Sequence, residues 1–137
     1  MDVLILIGRI MFVVLFLNSA IGHFTQVKSL AAYAHSRGVP APAASVYGSG
    51  VLLVLGGLSV LLGIWPDLGA LLLAVFLVPT AIMMHGFWRE TDPQARQMEM
   101  LHFLKDISLA GASLMLIGLF AKLGDDLGLT ITGPLFG

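Results

Sequence analysis

The sequence predicts an all-α membrane protein, a bundle of four transmembrane helices in up-down-up-down order. Of its 137 residues, 58% are hydrophobic and only 11% are charged, and the mean hydropathy is +0.96. Soluble domains carry about 25% charged residues, and a soluble core of this length could not bury so much apolar surface. Four apolar segments also reach the length of about 20 residues that a bilayer-spanning helix needs.

These segments run from about 3 to 22, 45 to 64, 68 to 84 and 101 to 122. Backbone polar groups must be paired within lipid, so each segment is expected to be a helix. Trp65–Asp67 leaves room only for a tight turn, which makes the second and third helices an antiparallel hairpin. The two longer connections, 23–44 and 85–100, then lie together at the opposite end of the bundle. The whole chain is therefore expected to form one membrane domain.

The first long connection contains a short amphipathic pattern at about 25–37, with Thr25 as its expected N-cap and Gly38 as its stop. The pattern is typical of a helix that lies in the membrane interface. An ordinary surface helix without lipid contact is the alternative interpretation.

Basic residues predict the orientation of the chain. The end with the long connections carries most of them, namely Lys28, Arg37, Arg89, Arg96 and Lys105. We therefore expect a multi-pass protein of the plasma membrane with cytoplasmic connections and with both termini outside. The first helix has no basic n-region before it, so it is interpreted as a retained helix rather than a cleaved signal.

The remaining composition excludes several kinds of site. The chain has no cysteine, which excludes disulfides, iron–sulfur clusters and thiolate zinc sites. A net charge of −1 provides no basic field for nucleic acid. The lipid bilayer is thus the one partner that composition requires.

The four histidines fall at the end with the long connections, and three interpretations of them remain open. Histidines suit a membrane interface without any further role, and His23, His85 and His102 could instead hold a mononuclear metal, although no metal site is predicted. In the third interpretation, polar residues at this end bind the headgroup of a quinone, with hydrogen-bond donors and proton acceptors. The candidates for this site are His23, His85, Trp88, His102, Lys105 and Asp106, with Glu99 as a further proton acceptor.

Arg9 and Asn18 are predicted to be polar groups buried within the first helix. A charge inside a membrane helix costs several kcal/mol unless it is paired or reaches the headgroups. Snorkelling of Arg9 toward the outer headgroups is the alternative interpretation. Pairing of Arg9 with Asp106 is disfavoured, because the predicted topology places them at opposite ends of the bundle.

Several stretches resemble the DoxX family of small bacterial membrane proteins. They are Gly8–Arg9, Gly38–Pro40, Gly50–Gly56, His85–Trp88 and Met100–Gly111. The last is similar to the family's aromatic–Leu–Lys–Asn–x–x–Leu–x–Gly entrance to the fourth helix, with Asp106 where asparagine is common. Val46 and Tyr47 occupy a region where family members often carry a carboxylate.

The resemblance implies a protein of the bacterial inner membrane. Related proteins include the large subunit of a thiosulfate:quinone oxidoreductase, and others are proposed to anchor redox-defence enzymes. A redox-linked, quinone-associated membrane component is therefore expected, with quinone as the possible cofactor. The alternatives are a non-catalytic anchor that recruits a soluble enzyme and a bundle that binds a small hydrophobic ligand or lipid. Whether the chain is an enzyme stays open, as does pairing with itself or another protein.

Overall fold

The computed structural model describes residues 1–137, and helices dominate it. Four long helices, α1, α3, α4 and α5, are joined by a short helix α2 and two 3-10 turns. Their bounds are α1 Asp2–Thr25, α2 Val27–Ser36, α3 Pro42–Leu62, α4 Pro66–Met84 and α5 Pro93–Leu123, with 3-10 turns at Phe87–Arg89 and Gly124–Asp126. Each long helix is long and apolar enough to cross a membrane. The predicted all-α bundle of four membrane-length helices is confirmed.

Two predicted helix ends differ from the structure. The fourth long helix begins at Pro93 rather than near residue 101, because Asp92 caps it by accepting a 2.9 Å hydrogen bond from the Ala95 amide. Proline at the first helical position needs no amide partner. Thr25 does not cap the short helix as expected. It ends α1, and its hydroxyl donates to the Ile21 carbonyl at 2.8 Å.

The long helices pack in the order α1, α3, α4, α5, each against the next. The core between them is apolar and includes Phe16, Leu53, Leu73, Leu77 and Phe120. Outward faces carry exposed large side chains such as Met11 and Met115, as expected where lipid is the solvent. The first and last helices, α1 and α5, do not pack closely against each other. The backbones of these two helices therefore stay apart, although side chains of both belong to the same core.

Close approach of α3 and α4 depends on two glycines. A Cβ added to Gly69 would overlap the side chain of Ser59, and one added to Gly56 would lie 2.8 Å from Leu73. By contrast, Gly118 on α5 has open space where its Cβ would be. Small residues permit close backbone contact between membrane helices, and here this applies to the α3–α4 pair.

The two ends of the bundle differ in structure. We call the end with α2, the Phe87–Arg89 turn and the start of α5 the loop end, and the other end the turn end. At the turn end the segment after α5 folds back over the α3–α4 turn, where the amides of Ile131 and Thr132 donate to the carbonyls of Leu62 and Gly63 at 3.1 and 3.0 Å. Gly63 has φ 71°, and a Cβ there would collide with Thr130.

A candidate ligand-binding site at the loop end

A cavity of about 380 Å³ opens at the loop end, between α1, α2, α3, α4 and the first turns of α5. Its walls are mostly apolar, with Phe16, Phe76 and Leu77 toward the centre of the bundle. Its polar side chains come from every surrounding segment and are Ser19, His23, Tyr33, Ser45, Ser49, Thr80, His85, Lys105 and Asp106. An apolar chamber with a few convergent polar groups is the usual form of a small-molecule site.

Four of the six predicted site residues line this cavity: His23, His85, Lys105 and Asp106. The other two do not. Trp88 is half exposed and packs edge-on against Phe103, with ring centroids 5.5 Å apart. His102 lies behind His85, with the two rings stacked at 4.9 Å. The structure therefore brings together most of the predicted set but leaves these two outside the cavity wall.

Asp106 is the carboxylate of the cavity wall, and only 5% of the residue is exposed. Its first oxygen lies 3.6 Å from the Lys105 ammonium, and its second lies 3.8 Å from Nε2 of His85. Both distances are longer than a direct hydrogen bond. The Lys105 contact is an ion pair, and the His85 contact becomes one when the imidazole is protonated. A buried carboxylate needs such neighbours, because an unpaired charge inside protein is costly.

His85 connects the cavity to a second carboxylate. Its Nδ1 lies 2.8 Å from Oε2 of Glu99. A carboxylate only accepts hydrogen bonds, so Nδ1 carries the proton in this contact. Nε2 consequently faces Asp106 and the cavity. The imidazole is thus held between two carboxylates, Glu99 and Asp106.

The short helix α2 contributes two side chains to the same cluster. The hydroxyl of Tyr33 donates to Oε1 of Glu99 at 2.7 Å, and Arg37 lies 3.2 Å from the same oxygen. Arg37 also pairs with Glu90 at 2.7 Å. Burial raises the pKa of Tyr33 above its ordinary value, and the hydrogen bond to the Glu99 carboxylate acts in the same direction. The phenol therefore remains a donor at neutral pH.

The histidine at the end of α1 has a fixed tautomer as well. Nδ1 of His23 lies 2.7 Å from the carbonyl of Ser19, one turn earlier. Because a carbonyl only accepts, Nδ1 donates and the neutral ring turns an accepting Nε2 toward other partners. In its neutral form, His23 therefore offers a ligand an acceptor at Nε2.

Arg9 lies at the turn end, far from this cavity, and is 1% exposed. Its guanidinium donates to the carbonyls of Val60 and Leu61 at 2.8 and 2.6 Å, and to that of Leu129 at 2.9 Å. It therefore points into the bundle rather than out to the headgroups. It satisfies carbonyls left free at the end of α3.

Asn18 was predicted to be buried, and this prediction is wrong. It lies exposed on the outer surface of α1. The buried residues Phe16 and Ala20 occupy the opposite side of that helix, since a step of two residues turns a helix by more than half a revolution.

Sequence reasoning missed three polar residues that matter to the structure. Tyr33 and Arg37 are one turn apart on α2, a spacing that places both on one face, and this signal could have linked them. Asp67 is fully buried at the turn end, where the sequence suggested only a turn. No group of three or more histidine, aspartate or glutamate side chains is arranged to hold a metal ion.

Comparison with known proteins supplies the family. The DoxX family profile matches residues 4–86, more than half of the chain. Inner membrane protein YphA of Escherichia coli strain K12 is 30% identical over 114 residues, which span 83% of this chain and 81% of that protein. No solved structure matches. The chain is therefore an integral membrane protein that belongs to the DoxX family.

Proposed function

We propose that this protein binds a lipid-soluble small molecule with a polar headgroup, of the quinone class, and serves as a redox-linked component of the membrane. The observation that carries the proposal is the cavity at the loop end. Its volume of about 380 Å³ combines apolar walls with polar groups that converge from five segments. Such a site suits a ligand with one polar and one apolar part.

The donors of the cavity match the chemistry of a quinone ring. Quinone carbonyls accept hydrogen bonds, and Lys105 and Thr80 each carry a donor in the cavity wall. The hydroxyl of Ser49 already donates to the carbonyl of Val46. Toward the centre of the bundle, Phe16 and Phe76 provide flat apolar surface for a ring or for the start of a prenyl tail.

The separation between the backbones of α1 and α5 offers such a ligand a route from the bilayer. Leu15 on α1 and Lys105 on α5 both line the cavity, while their helices do not pack closely together. A molecule dissolved in lipid could therefore enter sideways, without passing through water. Lateral entry would also leave a long tail in the membrane while the headgroup is bound.

A thermal-shift experiment tests the proposal. Purified protein in detergent is heated with and without a short-chain ubiquinone, alongside Lys105→Met and His85→Asn. We expect a rise in Tm for the parent protein and at least a tenfold weaker response to quinone in both variants, equivalent to about 1.4 kcal/mol of binding energy. Lys28→Met is the matched control, because Lys28 is exposed on α2 and does not line the cavity. No shift in the parent protein would overturn the proposal.

A second candidate function is a non-catalytic anchor for a soluble partner. Its support is the length of α5, whose 31 residues span about 46 Å. The hydrocarbon layer is about 30 Å thick, so the helix is long enough to project beyond it. Met98 and Trp88 are exposed near its start. A partner that co-purifies with the parent protein but not with Met98→Glu, together with no quinone response, would favour this function.

We also propose that the protein lies in the bacterial inner membrane with its loop end in the cytoplasm. The similar protein from Escherichia coli is named an inner membrane protein. The loop end carries Arg37, Arg89 and Arg96, as the positive-inside rule expects. A fluorescent-protein fusion after Gly137 should stay dark while an alkaline-phosphatase fusion there is active. The reverse result would contradict this orientation.

A further inference from the structure

We propose that His85 relays protons between Asp106 in the cavity and Glu99 at the loop end, so that ligand binding is coupled to proton exchange. The inference rests on the proposed ligand-binding function. It adds the chemical class of the ligand's polar end, which would be an ionisable hydroxyl. The proposal rests on the position of the His85 imidazole between two carboxylates. Its Nδ1 lies 2.8 Å from Glu99, and its Nε2 lies 3.8 Å from Asp106.

Histidine suits this place because its two ring nitrogens can exchange protons with different partners. Nδ1 is engaged with Glu99, which leaves Nε2 toward Asp106. The remaining gap of 3.8 Å closes by a small rotation of the carboxylate or by one bridging water. The stacked ring of His102 restricts movement of His85 out of this position.

On the cavity side, Asp106 is positioned to receive a proton from a bound ligand. It is almost fully buried and lines the cavity. The titratable groups near it are Lys105 and His102 on its own helix and His85 after α4. His23 of α1 lines the same cavity, and the α3 side contributes only serine hydroxyls. Of these groups, His85 is the one that lies between Asp106 and Glu99.

On the other side, Glu99 is linked to the surface of the loop end. It is partly exposed, and its Oε1, the oxygen not engaged with His85, accepts from Tyr33 and faces Arg37. Tyr33 is itself exposed. Glu99 can therefore exchange protons with water, whereas Asp106 cannot do so directly.

The proposed transfer is balanced and needs no oxidant or reductant. The O–H bond of the ligand breaks and its proton passes to Asp106, leaving an oxyanion near the ammonium of Lys105. Asp106 then gives this proton to Nε2 of His85, while Nδ1 of His85 gives its own proton to Glu99. Glu99 releases that proton to water. The net change is one proton moved from the ligand to the solvent.

Calorimetry can count the protons released on binding. An alkyl-hydroxyquinoline N-oxide, a quinol analogue with one ionisable hydroxyl, is titrated into the protein at one pH in two buffers of different ionisation enthalpy. We expect the parent protein to release about one proton for each ligand bound. His85→Asn keeps a donor near Glu99 but cannot relay. The equilibrium proton count does not depend on the route, so the relay is tested by the rate: in stopped-flow mixing with a pH indicator, this variant should release its proton at least threefold more slowly than the parent. His35→Asn, an exposed histidine outside the cavity, should match the parent.

Glu99→Gln provides a second variant, since it can still accept from Tyr33 but cannot take the relayed proton. Its proton release should slow as that of His85→Asn does. Binding by the parent without proton release, or release from the folded variants as fast as from the parent, would overturn the relay and leave the ligand site standing. If neither variant folds, the proton count of the parent decides. No binding of either the quinone or the analogue would overturn the proposed function, and the relay with it.

Discussion

Asp67 and Phe136 are joined by a 2.6 Å hydrogen bond, in which the carboxylate at the start of α4 accepts from the backbone amide. The same carboxylate accepts from the amide of Leu135 at 2.7 Å, and no part of Asp67 is exposed. A charged acceptor makes stronger hydrogen bonds than a neutral one. This residue therefore fastens the segment after α5 to the turn end.

Replacing Asp67 by alanine should release that segment. The amides of Leu135 and Phe136 would lose their acceptor, at a cost of about 2–4 kcal/mol in the free energy of unfolding. We expect a lower Tm in detergent and faster proteolytic trimming after Leu127. Asp126→Ala is the control, because Asp126 is exposed and pairs with no group. Equal trimming of both variants would contradict the role of Asp67.

Replacing Gly69 or Gly118 by alanine should have opposite effects on stability. Gly69→Ala should cost about 1–3 kcal/mol, because the new methyl would overlap Ser59 and force α3 and α4 apart. Gly118→Ala should change stability by less than about 1 kcal/mol and in the stabilising direction, since alanine favours a helix and the space is open. Thermal unfolding of the two variants in one detergent is the measurement. A larger loss for Gly118→Ala would refute the described packing.

The fold could be predicted because lipid imposes a strong constraint on sequence. Apolar length alone gave four helices, and Pro66 marked the turn between two of them. The start of α5 was missed because Gln94, Arg96 and Gln97 are polar, although Asp92 and Pro93 form a clear N-terminal signal. That signal is local, whereas the prediction relied on hydropathy.

The site could be predicted only in part, for a physical reason. His23 and His85 lie at helix ends, and Lys105 and Asp106 lie near the start of the last apolar segment, so the order of the segments alone places all four at one side of the membrane. Contacts between residues far apart in the sequence cannot be inferred from the order of the segments. The bonds of Glu99 to Tyr33 and of Asp67 to Phe136 join residues 66 and 69 positions apart. Glu99 was a candidate of the sequence analysis, but nothing in the sequence singled out Tyr33 or Asp67 as its equals.

Tyr33→Phe should loosen the contact between α2 and α5. The hydroxyl of Tyr33 donates to Glu99, and α2 covers part of the cavity through Ala34. The chain has no cysteine, so Ala34→Cys gives a single, buried reporter. We expect a maleimide to label it at least threefold faster when Tyr33 is replaced by phenylalanine. Labelling at Ser29→Cys, an exposed position on the same helix, should be unchanged.

The same reporter should respond to alkaline pH. A pKa raised in the folded state means that the hydrogen bond contributes fully below the ordinary tyrosine pKa of about 10, and is lost as pH rises through the higher folded value. After correction for thiolate content with the Ser29→Cys reporter, labelling of Ala34→Cys should stay constant from neutral pH to about pH 9 and rise only beyond pH 10. Acceleration already near neutral pH would contradict the phenol as the donor.

Variants of Arg9 can show whether the turn end needs only a positive charge at this position or also the planar shape of the guanidinium. Its three donors reach the carbonyls of Val60, Leu61 and Leu129, and no carboxylate balances it. Arg9→Met would leave these acceptors unpaired inside the bundle, and we expect a loss of about 3–5 kcal/mol in the free energy of unfolding.

Arg9→Lys keeps the charge but presents a single ammonium, which cannot reproduce the planar arrangement of a guanidinium. We therefore expect Arg9→Lys to lose about 1–3 kcal/mol, between the parent and Arg9→Met. Lys122→Met, which removes an exposed charge near the same end, should leave Tm unchanged. If Arg9→Lys were as stable as the parent, charge alone would suffice. If Arg9→Met were as stable as the parent, the guanidinium would not be needed to hold the end of α3 to the segment after α5.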